Sequence, residues 1–338
     1  MCRLGFLLAI AIMILSSCKK DVQGPTIIEA NMIDVPQGFP EPFFPEDNSY
    51  SHDRWLLGKK LFYEKDLSRD KSINCASCHK QENGFADNIN VSPGVDGAPG
   101  VRNASTLSNV AYNPFFLSEG GSATLETQIA IPFQEHNEFD LNILLAAERL
   151  NEKPELVKLS QSAYNRAIDP FVITRAIATF ERSLLTGNSD YDRYYLQDDS
   201  SAMNQSELNG LSIFNGTGKC IACHIGFNFT TYAFENNGLY EVYEDSGRFR
   251  LTEVDEDMAT FKVPTLRNVE FTAPYMHDGS KETLEDVVEH YSTGIKDHPN
   301  TNTILENLNL TEQEKMDLVN FLKSLSDFDF INDPKFQP

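Results

Sequence analysis

The sequence predicts an all-α protein built from two similar halves, and three observations carry that prediction. Apolar residues recur at helical spacing with no run of alternating strands. A five-residue motif occurs twice, as Cys75-Ala76-Ser77-Cys78-His79 and Cys220-Ile221-Ala222-Cys223-His224. The segments after each copy also repeat in order. Thr106-Leu107-Ser108-Asn109-Val110 and Gly121-Ser122-Ala123-Thr124-Leu125-Glu126 follow the first copy. Thr265-Leu266-Arg267-Asn268-Val269 and Gly279-Ser280-Lys281-Glu282-Thr283-Leu284-Glu285 follow the second. The order matches while the spacing differs, as expected of two domains derived by duplication.

The helical elements run in order from His52, where Leu56, Leu57, Lys60 and Leu61 set the pattern, through Phe139–Leu150, Phe171–Leu185, Glu207–Phe214 and Leu284–Tyr291. The last, Thr311–Leu325, opens with a capping box of Thr311 and Glu314. Residues 82–105 and 225–262, rich in Gly, Asn and charge, read as long loops. The halves span 47–195 and 196–338, meeting after Tyr191–Tyr195 and before the polar stretch Gln197–Gln205.

Cys-x-x-Cys-His is the attachment signature of c-type haem: two thiols add across the vinyl groups, and the histidine ligates the iron from below. The chain should therefore carry two covalent haem c groups, on Cys75, Cys78 and His79 and on Cys220, Cys223 and His224. The haems would replace part of the apolar core. A zinc site is the competing reading of four cysteines. Structural zinc sites pair their Cys-x-x-Cys units at shorter separation and need no histidine after each.

Arg3, the apolar run Leu4–Leu15 and the lipobox Leu15-Ser16-Ser17-Cys18 read as a lipoprotein signal, residues 1–17, with Cys18 acylated. The alternative, an uncleaved membrane helix, meets a run that is short for a bilayer. Residues 18–46, with Pro25, Pro36, Pro40, Pro42 and Pro45, read as a tether. These features place the protein on the periplasmic side of a membrane, held only by the lipid on Cys18. Haem attachment also requires export. Cys2 leaves with the signal, so no cysteine remains for a disulfide. The net charge of −22 over 338 residues excludes nucleic acid and an anionic membrane face. It suits a basic partner such as a small lysine-rich cytochrome. Asp255-Glu256-Asp257 is either part of such a docking face or a solvated loop.

Over about residues 50–325 the chain resembles the bacterial dihaem cytochrome c peroxidases and their MauG-type relatives. The resemblance rests on Leu57-Gly58-Lys59-Lys60-Leu61-Phe62, Asp66-Leu67-Ser68, Gly84-Phe85-Ala86-Asp87 and Ala273-Pro274-Tyr275-Met276-His277-Asp278-Gly279, together with both haem motifs. It implies two cytochrome c domains packed face to face and reduction of hydrogen peroxide to water. Electrons from a small cytochrome or similar donor would enter at the haem of His224 and pass to that of His79. The resemblance is compatible with a homodimer.

By resemblance, Glu138 is the distal acid–base group at the first haem and Gln128 its amide neighbour. A positioned carboxylate can relay a peroxide proton, and an amide can hold the leaving oxygen. One calcium ion is implied, bound by Asn103, Thr272 and Pro274.

Three positions depart from the family pattern. Val95 stands where many members have a loop histidine on the first iron, so that iron should be open or hold water. Ser118 stands at the interhaem tryptophan; Trp55 lies far upstream, and Phe115 and Phe116 are poor substitutes. Tyr291 falls on the family's axial methionine, as in the MauG type, with Met276 the rival ligand. His277 and His290 are expected around the second haem or at the surface. Tyr291 supports a second function: a MauG-like oxidase using peroxide-derived ferryl haem to oxidise a protein or organic substrate. A third reading, a dihaem electron carrier without turnover, leaves Glu138 and Gln128 without a task.

Overall fold

The computed structural model describes residues 33–338. The expected signal segment, Cys18 and the first part of the tether lie outside them. The chain is mostly helical. The helices are α1 (His52–Phe62), α2 (Cys75–Cys78), α3 (Leu125–Ile129), α4 (Ile131–Gln134), α5 (Ile143–Asn151), α6 (Pro154–Tyr164) and α7 (Pro170–Glu181). They continue as α8 (Asp190–Leu196), α9 (Gln205–Asn215), α10 (Phe249–Thr252), α11 (Leu284–Glu289), α12 (Glu312–Lys323) and α13 (Phe328–Asn332).

Starts follow local chemistry. Asp169 accepts from the Val172 amide ahead of α7. The expected box at α12 forms, with the Thr311 amide donating to Glu314 at 2.8 Å and the Glu314 amide to Thr311 Oγ1 at 3.3 Å.

Two helix crossings dominate the packing, α1 with α7 and α9 with α12, and each is built on a glycine. A Cβ on Gly58 of α1 would lie 1.9 Å from the Ala176 carbonyl oxygen of α7. A Cβ on Gly210 of α9 would lie 1.9 Å from the Asp317 carbonyl oxygen of α12. Only a residue without a side chain lets these backbones approach so closely. Beside each crossing sits the same cluster of three rings. Phe62 meets Phe180 at 5.1 Å and Phe85 at 6.1 Å; Phe214 meets Phe321 at 4.9 Å and Phe229 at 6.2 Å.

The Thr-Leu-x-Asn-Val repeat brackets the end of the later helix in each pair. Asn109 and Asn268 both sit in the left-handed region, at φ 58° and 60°. The Asn109 amide donates to Leu184 O, and its Oδ1 accepts from Thr186 N at 2.9 Å. The Asn268 amide donates to Leu325 O, and its Oδ1 accepts from Asp327 N at 2.8 Å.

The sequence expectation omitted several helices, α6 and α8 among them, and two further elements differ from it. The loop 225–262 contains a two-stranded antiparallel ribbon, β1 (Phe234–Glu235) with β2 (Phe261–Lys262). Two residues per strand leave no periodicity to read. The pattern from Leu284 ends as α at Glu289 and continues as a five-residue π turn, His290–Gly294. No helix among the described residues is long and apolar enough to cross a membrane.

Candidate active site

The first motif is a single helical turn, α2. The Asn74 amide donates to Ser77 Oγ at 3.0 Å, and the Asn74 side chain donates to Tyr63 O at 2.7 Å, tying the turn to the end of α1. Both motifs close the same way: the His79 amide donates to Cys75 O and the His224 amide to Cys220 O, each at 2.9 Å. His79 Nδ1 lies 3.0 Å from Phe85 O, and His224 Nδ1 lies 3.0 Å from Phe229 O. A ring nitrogen donating to a backbone carbonyl fixes the tautomer and leaves Nε2 as the ligand atom.

The carbonyls are aimed by strained residues, Phe85 at φ 59° and Phe229 at φ 49°. These turns are held by the repeat threonines: Thr106 Oγ1 donates to Gly84 O, and Thr265 Oγ1 to Asn228 O at 2.7 Å. Sequence reading found the Thr-Leu repeat but not its task of orienting the histidines.

Burial pushes both imidazoles below the ordinary histidine range, favouring the neutral form a metal needs. Burial likewise raises Cys75 well above its ordinary range and Cys220 to about 12. These four cysteines form no disulfides. At each site, paired thiols and an imidazole with its Nδ1 engaged are the donor set that haem c requires.

At the second site a cavity of about 350 Å³ is lined by Cys220, Cys223, His224, Tyr291 and Met276, with an apolar wall including Phe214, Leu284, Val288 and Leu322. That wall suits a flat apolar macrocycle. Tyr291 rides on the π turn, a distortion that often marks functional sites. Burial pushes its phenol up to about 12. Met276 is in the left-handed region at φ 74°, and its sulfur accepts from Asn237 Nδ2 at 3.2 Å. Both expected rivals therefore face one cavity. His290 Nε2 meets Asn237 O at 3.1 Å, and His277 stacks on Phe261 at 4.1 Å, so both are engaged beside the cavity.

At the first site Glu138 sits in the turn after α4. Its carbonyl accepts from the Val95 amide at 3.0 Å, so the loop lacking the family histidine rests directly on Glu138. The Glu138 side chain reaches solvent, yet burial, then neighbouring Glu135, pushes its carboxyl up to about 7. Its charge acts on both Cys75 and Cys78, raising each. Gln128 is half-buried on α3.

The sequence reading missed Glu181. It is 5 % exposed at the end of α7, its Oε2 has no partner, and burial pushes it to about 8. Its charge also reaches Cys75. Nothing in its helical context distinguishes it from a surface glutamate.

Ser118 also lines the second cavity, and its carbonyl accepts from the Lys262 amide at 2.7 Å. The Lys262 ammonium donates to Phe115 O at 2.9 Å, and burial lowers its pKa to about 8. Trp55 instead packs between α1 and α7, its indole N–H donating to Ser183 Oγ at 2.8 Å. Asn103, Thr272 and Pro274 all reach the cavity wall. The Asn103 amide nitrogen is used by Ile89 O at 3.1 Å, which leaves its oxygen for a cation. Of the acidic run, Asp257 turns towards Thr252 at 2.7 Å and Arg248 at 3.6 Å.

The family model of the di-haem cytochrome c peroxidases matches residues 52–201. The methylamine utilization protein MauG of Methylorubrum extorquens is 33% identical over 285 residues, covering 83% of this chain and 80% of the relative. The chain belongs to the di-haem cytochrome c peroxidase family. The cytochrome c551 peroxidase of Nitrosomonas europaea is 34% identical over 277 residues, covering 80% of this chain and 79% of that protein. Among solved structures, a MauG-like protein associated with microbial copper homeostasis superimposes with a TM-score of 0.85 at 30% identity, over 90% of this chain and 98% of the other. Family membership makes the chain an oxidoreductase of the di-haem peroxidase type and implies two haem c groups.

Proposed function

We propose that this protein reduces hydrogen peroxide to water at the haem of His79, with electrons entering through the haem of His224. The observation that carries the reading is Glu138: a carboxyl raised to about 7 whose charge acts on the thiols of the first motif and whose carbonyl holds the Val95 loop. The haem iron, when bound, supplies the redox chemistry. The chain's own residues supply the rest. His79 and His224 would hold the iron through a neutral Nε2, because the carbonyls of Phe85 and Phe229 engage Nδ1. Glu138 accepts a proton from the incoming peroxide and returns it to the departing oxygen. Near neutrality it exists in both forms, which suits a group that takes and gives one proton per cycle. Gln128 is proposed to hydrogen-bond the leaving oxygen.

The remaining assignments belong to the same proposal. The two halves, 47–195 and 196–338, are two cytochrome c domains from duplication. The repeated glycine crossings, ring clusters and asparagine brackets support this. Calcium is placed at Asn103, Thr272 and Pro274. The chain is exported, acylated at Cys18 and faces the periplasm, where a small cytochrome supplies electrons. A second reading, the MauG-like oxidase acting on a protein or organic substrate, is favoured by Tyr291 at the second cavity.

Stopped-flow mixing of reduced holoprotein with peroxide, with and without a reduced cytochrome, tests the assignment. Rapid oxidation of the cytochrome supports the peroxidase. A long-lived oxidised haem state without donor consumption supports the oxidase. No reaction with peroxide overturns both.

A further inference from the structure

The asparagine of each Thr-Leu-x-Asn-Val repeat uses its Oδ1 to bracket a helix end in its own neighbourhood, but its Nδ2 crosses to the other half of the chain. Asn268 Nδ2 donates to Ser108 Oγ at 3.3 Å, and Ser108 Oγ donates to Gly84 O at 3.1 Å. Gly84 precedes Phe85, whose carbonyl engages His79 Nδ1. The approach is close: a Cβ on Gly84 would lie 3.4 Å from Asn268 Cβ. In the opposite sense, Asn109 Nδ2 donates to Asn228 Oδ1 at 3.0 Å. Asn228 precedes Phe229, whose carbonyl engages His224 Nδ1.

The two crossings meet at Thr186. Asn109 Nδ2 also donates to Thr186 O at 3.0 Å, and Asn268 Nδ2 to Thr186 Oγ1 at 3.1 Å. Asn228 is held further, its Oδ1 3.2 Å from Thr265 Oγ1 and its Nδ2 donating to the Tyr232 hydroxyl at 2.8 Å. Ser108, Asn109, Thr186, Asn228 and Asn268 are all buried, where a lost hydrogen bond leaves an unsatisfied group rather than a hydrated one. A hydroxyl that accepts from an amide is left to donate its own proton, and Ser108 spends it on Gly84 O. Phe85 and Phe229 both sit at positive φ, a conformation that persists only when the surroundings hold it. The repeat threonines hold these turns from within, and the asparagines hold them from across.

We propose that Asn109 and Asn268 are reciprocal positioning residues: each fixes the turn that aims the haem-ligating histidine of the opposite half. Neither proximal turn is then complete within its own repeat. The inference rests on the reading that His79 and His224 ligate the two haem irons. A carbonyl held against Nδ1 orients the imidazole and strengthens it as a ligand. A turn released from its anchor lets that contact lengthen, which weakens donation to the iron and favours its ferrous form. Loss of one asparagine donor should therefore be read at the haem of the other half.

The test uses the two-haem holoprotein, read by paramagnetic resonance, which senses the plane of the axial imidazole, and by the midpoint potential of each haem. Thr106→Val and Thr265→Val loosen each turn from within and so mark the signals of the haems of His79 and His224. Asn268→Gly should move the signal marked by Thr106→Val and raise that potential. Asn109→Gly should do the same to the signal marked by Thr265→Val. Glycine keeps the left-handed backbone. Asn268→Asp and Asn109→Asp, which keep the shape and the Oδ1 bracket but present no amide N–H, should move the same haems. Ser108→Ala should reproduce Asn268→Gly, and the double variant should shift no further than either alone. Covalent haem content by intact mass shows that each variant has matured. Asparagine variants that move only the haem of their own repeat, both haems alike or neither would overturn the proposal. Threonine variants without effect would overturn the premise that these turns aim the histidines. A wild-type mass without two haems would overturn the haem reading itself.

Discussion

Replacing Arg267 by methionine should cost the second half of the molecule about 3–5 kcal/mol, the loss expected when one partner of a buried ion pair is removed. Arg267 is 1% exposed and Asp192 is fully buried. The guanidinium makes two parallel bonds to the carboxylate, Nη1–Oδ2 at 2.7 Å and Nη2–Oδ1 at 2.9 Å, and Nε donates to Phe227 O at 2.6 Å. Methionine fills similar volume but meets none of these acceptors. Asp192 would keep its Ser189 donors, at 3.0 Å from the amide and 2.7 Å from the hydroxyl. Its other oxygen, Oδ1, would stay buried without its partner. The functional link is Phe227, two residues before the carbonyl that orients His224. Against a total stability of about 5–15 kcal/mol, such a loss is large. It corresponds to a fall of roughly 6–10 °C in melting temperature for a protein of this size class. Thermal melts followed by far-ultraviolet circular dichroism and by the Soret band measure both parts. Arg267→Met should melt lower, with the Soret change of the second haem leading. Arg267→Met combined with Asp192→Leu should recover most of the loss, because both charges are then gone. A single variant that melts within about 1 °C of wild type would refute the claim that the pair is tightly coupled to the fold.

Glu138→Gln should retain both haems and lose about 10²–10⁴-fold in peroxide turnover. Because the Glu138 carboxyl sits near 7, the proton-accepting carboxylate is populated above that pH. The wild-type rate should therefore rise through neutrality, and the glutamine variant should lack that limb. Glu181, raised to about 8 by burial, favours the folded state in its protonated form. Its contribution is complete below the ordinary glutamate range and is lost as pH rises through about 8, so Glu181→Gln should show a flatter fall in melting temperature over that window. Gly210→Ala should destabilise by about 1–3 kcal/mol or more, since the new methyl meets the Asp317 carbonyl and α9 must move away from α12. Denaturant titration reads the loss. With Val95 in place of the loop histidine, the first haem of the as-isolated protein should bind cyanide promptly, without reductive priming. A lag abolished by prior reduction would show that another group closes it.

The expectation of two haems was legible in one dimension. Cysteine and histidine spacing within five residues names a haem site because every participating atom is local. The helical stretches and the Thr311–Glu314 box were legible for the same reason, since capping and periodicity act over three or four residues. The internal repeat was also visible as text. What the repeated residues do was not. The crossings at Gly58 and Gly210, the bracket formed by Asn109 and Asn268, and the threonines behind His79 and His224 join residues far apart in the chain. Glu138 required a resemblance to be singled out, because a carboxyl near 7 depends on what surrounds it rather than on its neighbours in sequence. Glu181 and Lys262 escaped notice altogether, as burial is a property of the packed molecule. The second distal position shows the division most clearly. A residue count pointed to Tyr291 and left Met276 as rival; the tertiary structure brought both to one cavity and placed the amide of Asn237 on the Met276 sulfur. Ligand identity follows from three-dimensional donor geometry, and only the folded chain sets it.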